Sequence, residues 1–535
     1  MTIQPTMLRP PPPRPGWQVA VGLVLTLPAL VLLLTSYVEP LYWTVRSSFR
    51  KFTGLRMGEG GASVGWDNYD SAYTQGHLAD AHWFALSLAV VPILLVLLLA
   101  PVLAWAAHAG GTWARWVVRI ALALPIAAFV PVAIAVSLRE SSTRTAYWLG
   151  TFGLVVALAA TAYLAVLRRR TLDSTRSPVP AAIVVAGLAV LAVVAVALQD
   201  FTFSFIGGLG TRDDVTPARL MFETSFRTMS FGVGAATSTT LLVPLILLGL
   251  IATLLVILPG TRLEVDPKLP APGQPAKGQP VVAWVVGGVL LLGTLGAVLA
   301  GLGPWLSHIT DTGRAGQPST WVNTWLPPVI STLVGVTVAA LAAFGISGLR
   351  PFGRHSEWLL LPFGLFLFVG SAPLALRNFA AGATADRLDS FIGLIPPSRV
   401  AIPALFVLAL LFRGQAQRRE VLLQEGRRAP WTAVLLPALP MLGLAYVATW
   451  LVQVQDLIWP LITAAGDHPT AQNALVQAIQ ARTYNVATDQ LPYAQLMPVW
   501  LLILLFLGAI AAQVFYLDRV ALRVGLPERD HPPRT

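Results

Sequence analysis

Residues 179–198 read VPAAIVVAGLAVLAVVAVAL, a run of twenty residues without a single charged side chain. A helix needs roughly 20 apolar residues to cross the hydrocarbon core of a bilayer. A helix also satisfies its backbone hydrogen bonds internally, which lipid cannot do for it. The stretch therefore predicts a membrane-spanning helix, and the polar residues Gln199 and Asp200 follow directly at its end.

The composition of the whole chain agrees with this reading. Of its 535 residues, 55% are hydrophobic and only 11% are charged, whereas soluble domains carry roughly 25% charged residues. The sequence contains no cysteine, which excludes disulfides, thiolate catalysis and cysteine-ligated metals. The net charge of +11 comes from basic residues that lie mostly between apolar runs. We interpret these as determinants of membrane orientation, not of nucleic-acid binding.

Similar apolar runs recur along the chain and predict an all-α integral membrane protein with about twelve transmembrane helices. The first half contributes 17–38, 82–107, 116–137, 147–167, 179–198 and 236–258. The second half contributes 281–302, 327–348, 358–376, 395–412, 431–454 and 498–518. Because each half has an even number of spans, the halves form parallel six-helix repeats related by an axis along the membrane normal.

The segments outside the spans define five regions. A disordered cytoplasmic tail is predicted for 1–16, and two halves of six transmembrane helices each for 17–258 and 281–518. A proline-rich cytoplasmic linker, 259–280, joins them, and 519–535 is a second cytoplasmic tail. The excess of Lys and Arg in loops on the linker side places both termini in the cytoplasm.

The two halves share a motif at the end of their fifth span. Gln199, Asp200 and Phe201 close that span in the first half, and Gln455 and Asp456 close it in the second. One interpretation is a polar helix end that faces water. The other is the rim of a solute pathway between the halves, where amides and carboxylates bind hydroxyl groups beside aromatic faces. Those faces would be Phe201, Trp450 and Trp459, although tryptophan also favours membrane interfaces in general.

Several stretches of the first half resemble a known family. They are LPALVLLL at 27–34, EPLYWTVRSSF at 39–49, VGWDNY at 64–69, QDF to GGLG at 199–210 and FGVGAA at 231–236. Together they are similar to the larger membrane subunit of binding-protein-dependent sugar ABC importers of the maltose type. LDSFIGLIP at 388–396 and QDLIWP at 455–460 resemble the smaller subunit of the same family.

The resemblance covers about residues 17 to 520 and implies that both permease subunits are fused in one chain. It implies the type I importer permease fold and a carbohydrate as the transported solute. The implied partners are cytoplasmic ATPase subunits, in two copies, and an extracytoplasmic solute-binding protein, in a bacterial inner membrane. The chain itself would be no enzyme and would bind no cofactor, since ATP and Mg²⁺ would lie on the ATPase. It has no glycine-rich phosphate loop with Lys-Ser/Thr.

Members of this family contact their ATPase through a cytoplasmic loop with a Glu-Ala-Ala…Gly pattern. In the second half EVLLQEG keeps Glu420, Glu425 and Gly426 but lacks both alanines. In the first half, 168–178 has neither the glutamate nor the glycine. The resemblance therefore implies asymmetric coupling, with Glu420, Glu425 and Gly426 as the ATPase-contacting residues. Alternatively, Gly426 simply ends a helix.

Two other functions remain open at this stage. A twelve-span secondary transporter has the same span number, but such proteins usually carry an acidic group inside the membrane. We find no Asp or Glu well inside a predicted span. A non-transporting scaffold derived from a permease is the second alternative, because the first-half loop has lost its pattern. Arg399, within the predicted span 395–412, is interpreted as a residue that reaches toward the membrane surface.

Overall fold

The computed structural model describes residues 16–52, 61–168, 177–207, 214–265, 279–310, 318–424, 426–464, 466–483 and 491–525. These residues are almost entirely helical. Some of the long helices contain one π-helical turn, for example Leu34–Val38. The helices are α1 (Gly16–Ser47), α2 (Asp67–Thr74), α3 (Leu78–Ala109), α4 (Gly111–Ala127), α5 (Phe129–Arg139), α6 (Thr143–Leu167), α7 (Val179–Leu198), α8 (Thr202–Gly207), α9 (Pro217–Phe222), α10 (Phe231–Ile257), α11 (Gln279–Leu306), α12 (Pro318–Gly348), α13 (Ser371–Thr384), α14 (Ile402–Gln424), α15 (Thr432–Val454), α16 (Ile458–Thr463), α17 (Ala471–Thr483) and α18 (Tyr493–Arg519).

Within the described ranges, nine helices are long and apolar enough to cross a membrane, and the bent pair α4 and α5 makes a tenth. Each of the ten coincides with a predicted span, which confirms an all-α, multi-pass membrane protein. The predicted span 116–137 is bent by 57° between Ala127 and Phe129. Pro131 explains the break, because proline has no N–H to donate to the carbonyl of Ala127 and its ring collides with that carbonyl.

The remaining two predicted spans do not form single apolar helices. Segment 358–376 consists of a 3₁₀-helix (Gly353–Leu360), one α-turn (Leu361–Gly364) and then the start of α13. Segment 395–412 becomes α14, which begins later and continues as far as Gln424. The second half of α14 carries several charged residues, so its composition is not that of a spanning helix. Arg399, predicted to lie within this span, precedes the helix.

Two short antiparallel strand pairs accompany the helices. The first, β1 (Arg50–Lys51) with β2 (Ala62–Ser63), follows α1. The second pairs β3 (Arg262–Val265) with β4 (Val520–Arg523). Strand β3 is the beginning of the predicted linker, and β4 follows the last helix of the second half. The rest of the linker, 266–278, lies outside the described residues.

The halves of the chain also pack against each other within one hydrophobic core. Helix α1 lies against α12, and the Tyr37 hydroxyl donates to the carbonyl of Val400 at 3.3 Å. At the opposite end of α1, Gly22 lies so close to Gly345 that a Cβ there would approach its carbonyl to 3.0 Å. The first helix of the chain is therefore held mainly by the second half.

A buried ionic cluster lies beside β3 and β4, at what we call the linker end of the bundle. Asp518 accepts from the Arg115 Nε at 2.7 Å and lies 3.2 Å from the Arg119 Nε. The Arg119 Nη1 donates to Gln513 at 2.8 Å. Arg115 and Arg119 are 3% and 1% exposed. Helix α4 of the first half is thus joined to α18 of the second half by charged groups that are shielded from solvent.

Candidate functional site

A cavity of about 330 Å³ lies at the end of the bundle opposite the linker end, where α7 meets α8 and α15 meets α16. We call this the cavity end. The two motifs predicted to border a pathway converge there from separate halves of the chain. The predicted residues that line the cavity are Gln199, Asp200, Phe201, Gln455 and Asp456.

The two aspartates have equivalent positions in their halves. Asp200 follows α7 and accepts hydrogen bonds from the N–H groups of Phe203 and Ser204, at 3.3 and 3.0 Å. Asp456 follows α15 and accepts from the N–H of Ile458 at 3.1 Å. Each carboxylate thus caps the first turn of the short helix that follows, a position where negative charge is stabilised by the helix dipole. Each Gln-Asp pair therefore lies where one helix ends and the next begins, and it also contributes polar groups to the cavity wall.

Asp456 has a further partner from a third segment, because the Ser371 hydroxyl donates to its Oδ1 at 3.1 Å. Burial raises the pKa of the Asp456 carboxyl, and the hydrogen bonds from Ser371 and from the backbone oppose that rise. A partly buried carboxylate that keeps these donors is fixed in orientation and presents its remaining lone pairs to the cavity.

The two glutamines differ in what they contact. The Gln199 amide donates to the carbonyl of Phe368 at 2.7 Å and accepts from the N–H of Gly370 at 2.7 Å. It joins the end of α7 to the chain just before α13, and so acts as a cross-link between the halves. Within the described part of the chain, the side-chain amide of Gln455 makes no hydrogen bond. Gln455 is therefore the amide that is available to a bound molecule.

Only one of the three predicted aromatic residues reaches the cavity. Phe201 lines it and stacks on Phe205, with ring centroids 4.9 Å apart. The Trp450 indole donates to the Trp325 carbonyl at 3.2 Å and borders a different cleft. The Trp459 indole is buried and donates to the carbonyl of Gly393 at 3.1 Å. Both tryptophans therefore pack within the second half and do not line the cavity.

The structure adds polar residues to the site that the sequence reasoning did not select. Tyr147 and Thr151 of α6, Ser371 of α13 and Gln472 of α17 all line the cavity. The Gln472 Nε2 donates to the carbonyl of Val454 at 2.6 Å. Tyr147 and Thr151 are one turn apart in a mostly apolar span, a pattern that could have indicated a shared polar face. Ser371 and Gln472 carried no comparable signal.

The predicted ATPase-contacting residues lie at the linker end, at the end of α14. Gly426 has φ of +76°, and its N–H donates to the carbonyl of Leu423 at 3.1 Å. Glycine adopts this left-handed conformation without strain and commonly ends helices. Glu420 accepts from the Arg350 Nη1 at 3.1 Å and remains 40% exposed. Glu425 lies outside the described residues, as does most of the first-half loop, 169–176.

The fold and the apolar helices define the class of protein, a multi-pass membrane protein. Comparison with known proteins finds no matching family model, no similar curated protein and no similar solved structure.

Proposed function

We propose that this chain is the transmembrane permease of an ATP-driven importer, with two six-span halves fused in one polypeptide. The observation that carries the proposal is the convergence of the two Gln-Asp motifs, from matching points of the two halves, on one cavity. A solute pathway between pseudo-symmetric halves requires such a meeting point. The motifs of both halves resemble subunits of sugar ABC importers, and this resemblance is the reason we propose that family.

The chemistry of the cavity favours a small hydroxyl-rich solute, and we propose a carbohydrate. Its polar groups include a free amide on Gln455, a carboxylate on Asp456 and hydroxyls on Thr151 and Ser371, beside the ring of Phe201. This mixture of donors, acceptors and an aromatic face suits sugar hydroxyls. A volume of about 330 Å³ is at the lower end of the roughly 300–1,000 Å³ typical of ligand pockets. We therefore favour a monosaccharide or one unit of a short oligosaccharide.

In this proposal the broken segment 353–384 and helix α14 complete twelve crossings. The linker end faces the cytoplasm of a bacterial inner membrane, where two ATPase subunits bind, and the cavity end receives solute from a binding protein. ATP and Mg²⁺ bind to the ATPase. Positive charge supports this orientation, because arginines of the linker end such as Arg354, Arg427 and Arg428 are exposed there.

The orientation can be tested by cysteine labelling, since the natural chain has no cysteine. Ala385→Cys lies beyond α13 at the cavity end, and Arg428→Cys lies beyond α14 at the linker end; both positions are exposed. In intact cells a membrane-impermeant maleimide should label Ala385→Cys, and it should label Arg428→Cys only after the membrane is opened. The reverse pattern would contradict the proposed orientation.

Coupling to an ATPase is tested by substrate-stimulated ATP hydrolysis of the reconstituted complex. Gly426→Pro cannot adopt a φ of +76°, so it should displace the end of α14 that would contact the ATPase. Glu420→Lys reverses the charge at the same surface. We expect either variant to uncouple hydrolysis from transport. Because Glu420 is 40% exposed, losing its ion pair should lower the free energy of unfolding by no more than about 1 kcal/mol.

The matched control replaces residues 171–175 of the first-half loop by alanine, which should change coupling much less. If that loop proves the more sensitive, the asymmetric coupling is wrong. If both sets of variants are silent and no ATPase co-purifies with the chain, the importer proposal fails. Uptake driven by an ion gradient would then favour a secondary transporter, and no uptake at all would favour a scaffold.

A further inference from the structure

A second and much larger cleft lies between the halves, with a volume of about 1590 Å³. Its walls are α6 of the first half and α14, α15 and α18 of the second half, and it extends from the linker end along α15 and α18. Most of the wall is apolar, including Leu158, Leu444, Val447, Leu501, Leu504 and Leu505. Such a lining does not suit a hydroxyl-rich solute, so this cleft needs an occupant of different chemistry.

The polar groups of the cleft are concentrated at the linker end, and its charged groups are all cationic. Arg418, Arg419 and Arg519 line it there, whereas no Asp or Glu is among the described residues of its wall. Arg519 is exposed, and Arg418 and Arg419 are partly exposed. The Arg419 guanidinium also lies over the Trp431 ring, 4.1 Å from its centroid. Three positive charges at one end of an apolar cleft complement an anion with a long hydrocarbon portion.

A buried donor in the same wall points to a ligand independently of the arginines. Gln415 is 3% exposed and lines the cleft, and its Nε2 has no hydrogen-bond partner within the described ranges. Leaving a buried amide without a hydrogen bond costs stability, so such groups usually have a hydrogen-bond partner. An acceptor oxygen at the linker end of the cleft would supply one.

We propose that this cleft binds an anionic phospholipid, with its phosphate among Arg418, Arg419 and Arg519 and its acyl chains along α15 and α18. Basic pockets between transmembrane helices are the arrangement that attracts anionic headgroups. The acyl chains would then lie along the apolar part of the cleft, where bulk lipid would otherwise be. The lipid would contact both halves and fill the space that separates α6 from α15. This inference does not depend on the transport proposal.

Two glycines allow the acyl-chain part of the proposal to be tested without disturbing the fold. Gly443 of α15 and Gly508 of α18 both line the cleft, and a Cβ at either would meet no atom within 4 Å. Gly443→Leu combined with Gly508→Leu should therefore obstruct the part of the cleft beside α15 and α18 where the acyl chains would lie, and leucine also favours the helix over glycine. The matched control is Gly288→Leu combined with Gly296→Leu in α11. A Cβ at either position likewise meets no atom within 4 Å, and neither glycine lines the cleft.

The headgroup part is tested by removing charge. Arg418→Gln, Arg419→Gln and Arg519→Gln together remove three charges from the cleft. Arg354→Gln, Arg427→Gln and Arg428→Gln remove three from exposed positions at the same end. Native mass spectrometry of the delipidated chain would measure binding of added phosphatidylglycerol and phosphatidylcholine. Because each arginine near a headgroup contributes a several-fold preference, we expect the cleft variant to lose affinity for phosphatidylglycerol on the order of 10- to 100-fold.

The proposal predicts that the wild-type chain prefers phosphatidylglycerol, and that both cleft variants lose this lipid while both controls keep it. Equal retention of phosphatidylcholine by the wild type would overturn the headgroup assignment. Unchanged lipid binding by the glycine variant would overturn the cleft as the site. A protein subunit that remains bound in place of lipid, and is released by Gly443→Leu with Gly508→Leu, would show that the occupant is a helix of a partner.

Discussion

Asp518→Asn is expected to lower the free energy of unfolding by about 3–5 kcal/mol, the typical cost of removing one partner of a buried ion pair. Asp518 lies within contact distance of Arg115, Arg119 and Arg168, and its own side chain is 10% exposed. Asparagine keeps the shape but removes the only carboxylate within ion-pair distance of Arg115 and Arg119 among the described residues. Thermal unfolding of the purified chain in detergent measures the effect.

The matched control is Glu39→Gln, which breaks another ion pair between the halves. Glu39 and Arg377 lie 2.8 Å apart, but their side chains are 49% and 32% exposed. Solvent therefore screens this pair, and the loss should be below about 1 kcal/mol. If Asp518→Asn is no more damaging than Glu39→Gln, the arginines at the linker end are neutralised by another anion. The cluster would then not be what holds α4 to α18.

The spans that the sequence predicted correctly are continuous apolar runs, whose backbone hydrogen bonds must be satisfied within one helix. A run such as 179–198 must be helical because no other structure satisfies its backbone in a bilayer. Segment 358–376 likewise contains no charged residue, yet it is interrupted between Gly364 and Ser371. Average hydropathy does not register such an interruption. The local signals, Pro362 and Pro373, were compatible with a kink as well as with a break.

Helix α14 illustrates the opposite problem. Residues 413–424 are rich in charge and lie beyond the predicted span 395–412, but they continue the helix that begins at Ile402. Arg, Gln, Glu and Leu all favour helix, and two of the charged residues, Arg413 and Glu420, have ion-pair partners in the tertiary structure. The Arg413 Nε lies 3.3 Å from Glu357, and the Arg350 Nη1 lies 3.1 Å from Glu420. Those partners come from another segment of the second half, so a local reading of 413–424 could not supply them.

The residues of the cavity were predictable from the sequence only in part. The Gln-Asp motifs occupy matching positions in the two predicted six-span repeats, which indicated that both belong to one site. The different roles of Gln199 and Gln455 were not predictable, since Gln199 is held by the backbone of Phe368 and Gly370. The position of the Trp459 indole was not predictable either, because its hydrogen-bond partner, the carbonyl of Gly393, is distant in sequence.

Val196→Trp is expected to reduce solute uptake by roughly ten- to a hundredfold, if the cavity is part of the pathway. Val196 lines the cavity and is 58% exposed, so the larger ring can enter the open space without displacing the core. Overfilling a packed site costs about 1–3 kcal/mol, and each 1.4 kcal/mol is a tenfold change in binding. Uptake of a radiolabelled sugar by vesicles that contain the complete complex measures the loss.

Ile183→Trp is the matched control on the same helix, because Ile183 is 61% exposed and does not line the cavity. It should leave uptake unchanged.

Gln455→Leu gives the graded test, since one lost hydrogen bond to solute should raise KM roughly three- to tenfold with kcat unchanged. If Val196→Trp blocks uptake while Gln455→Leu does not change KM, the cavity is on the pathway but the amide does not contact the solute. If Val196→Trp and Ile183→Trp have the same effect on uptake, the cavity is not on the solute pathway. The two Gln-Asp motifs would then serve only to cap the helices that follow them.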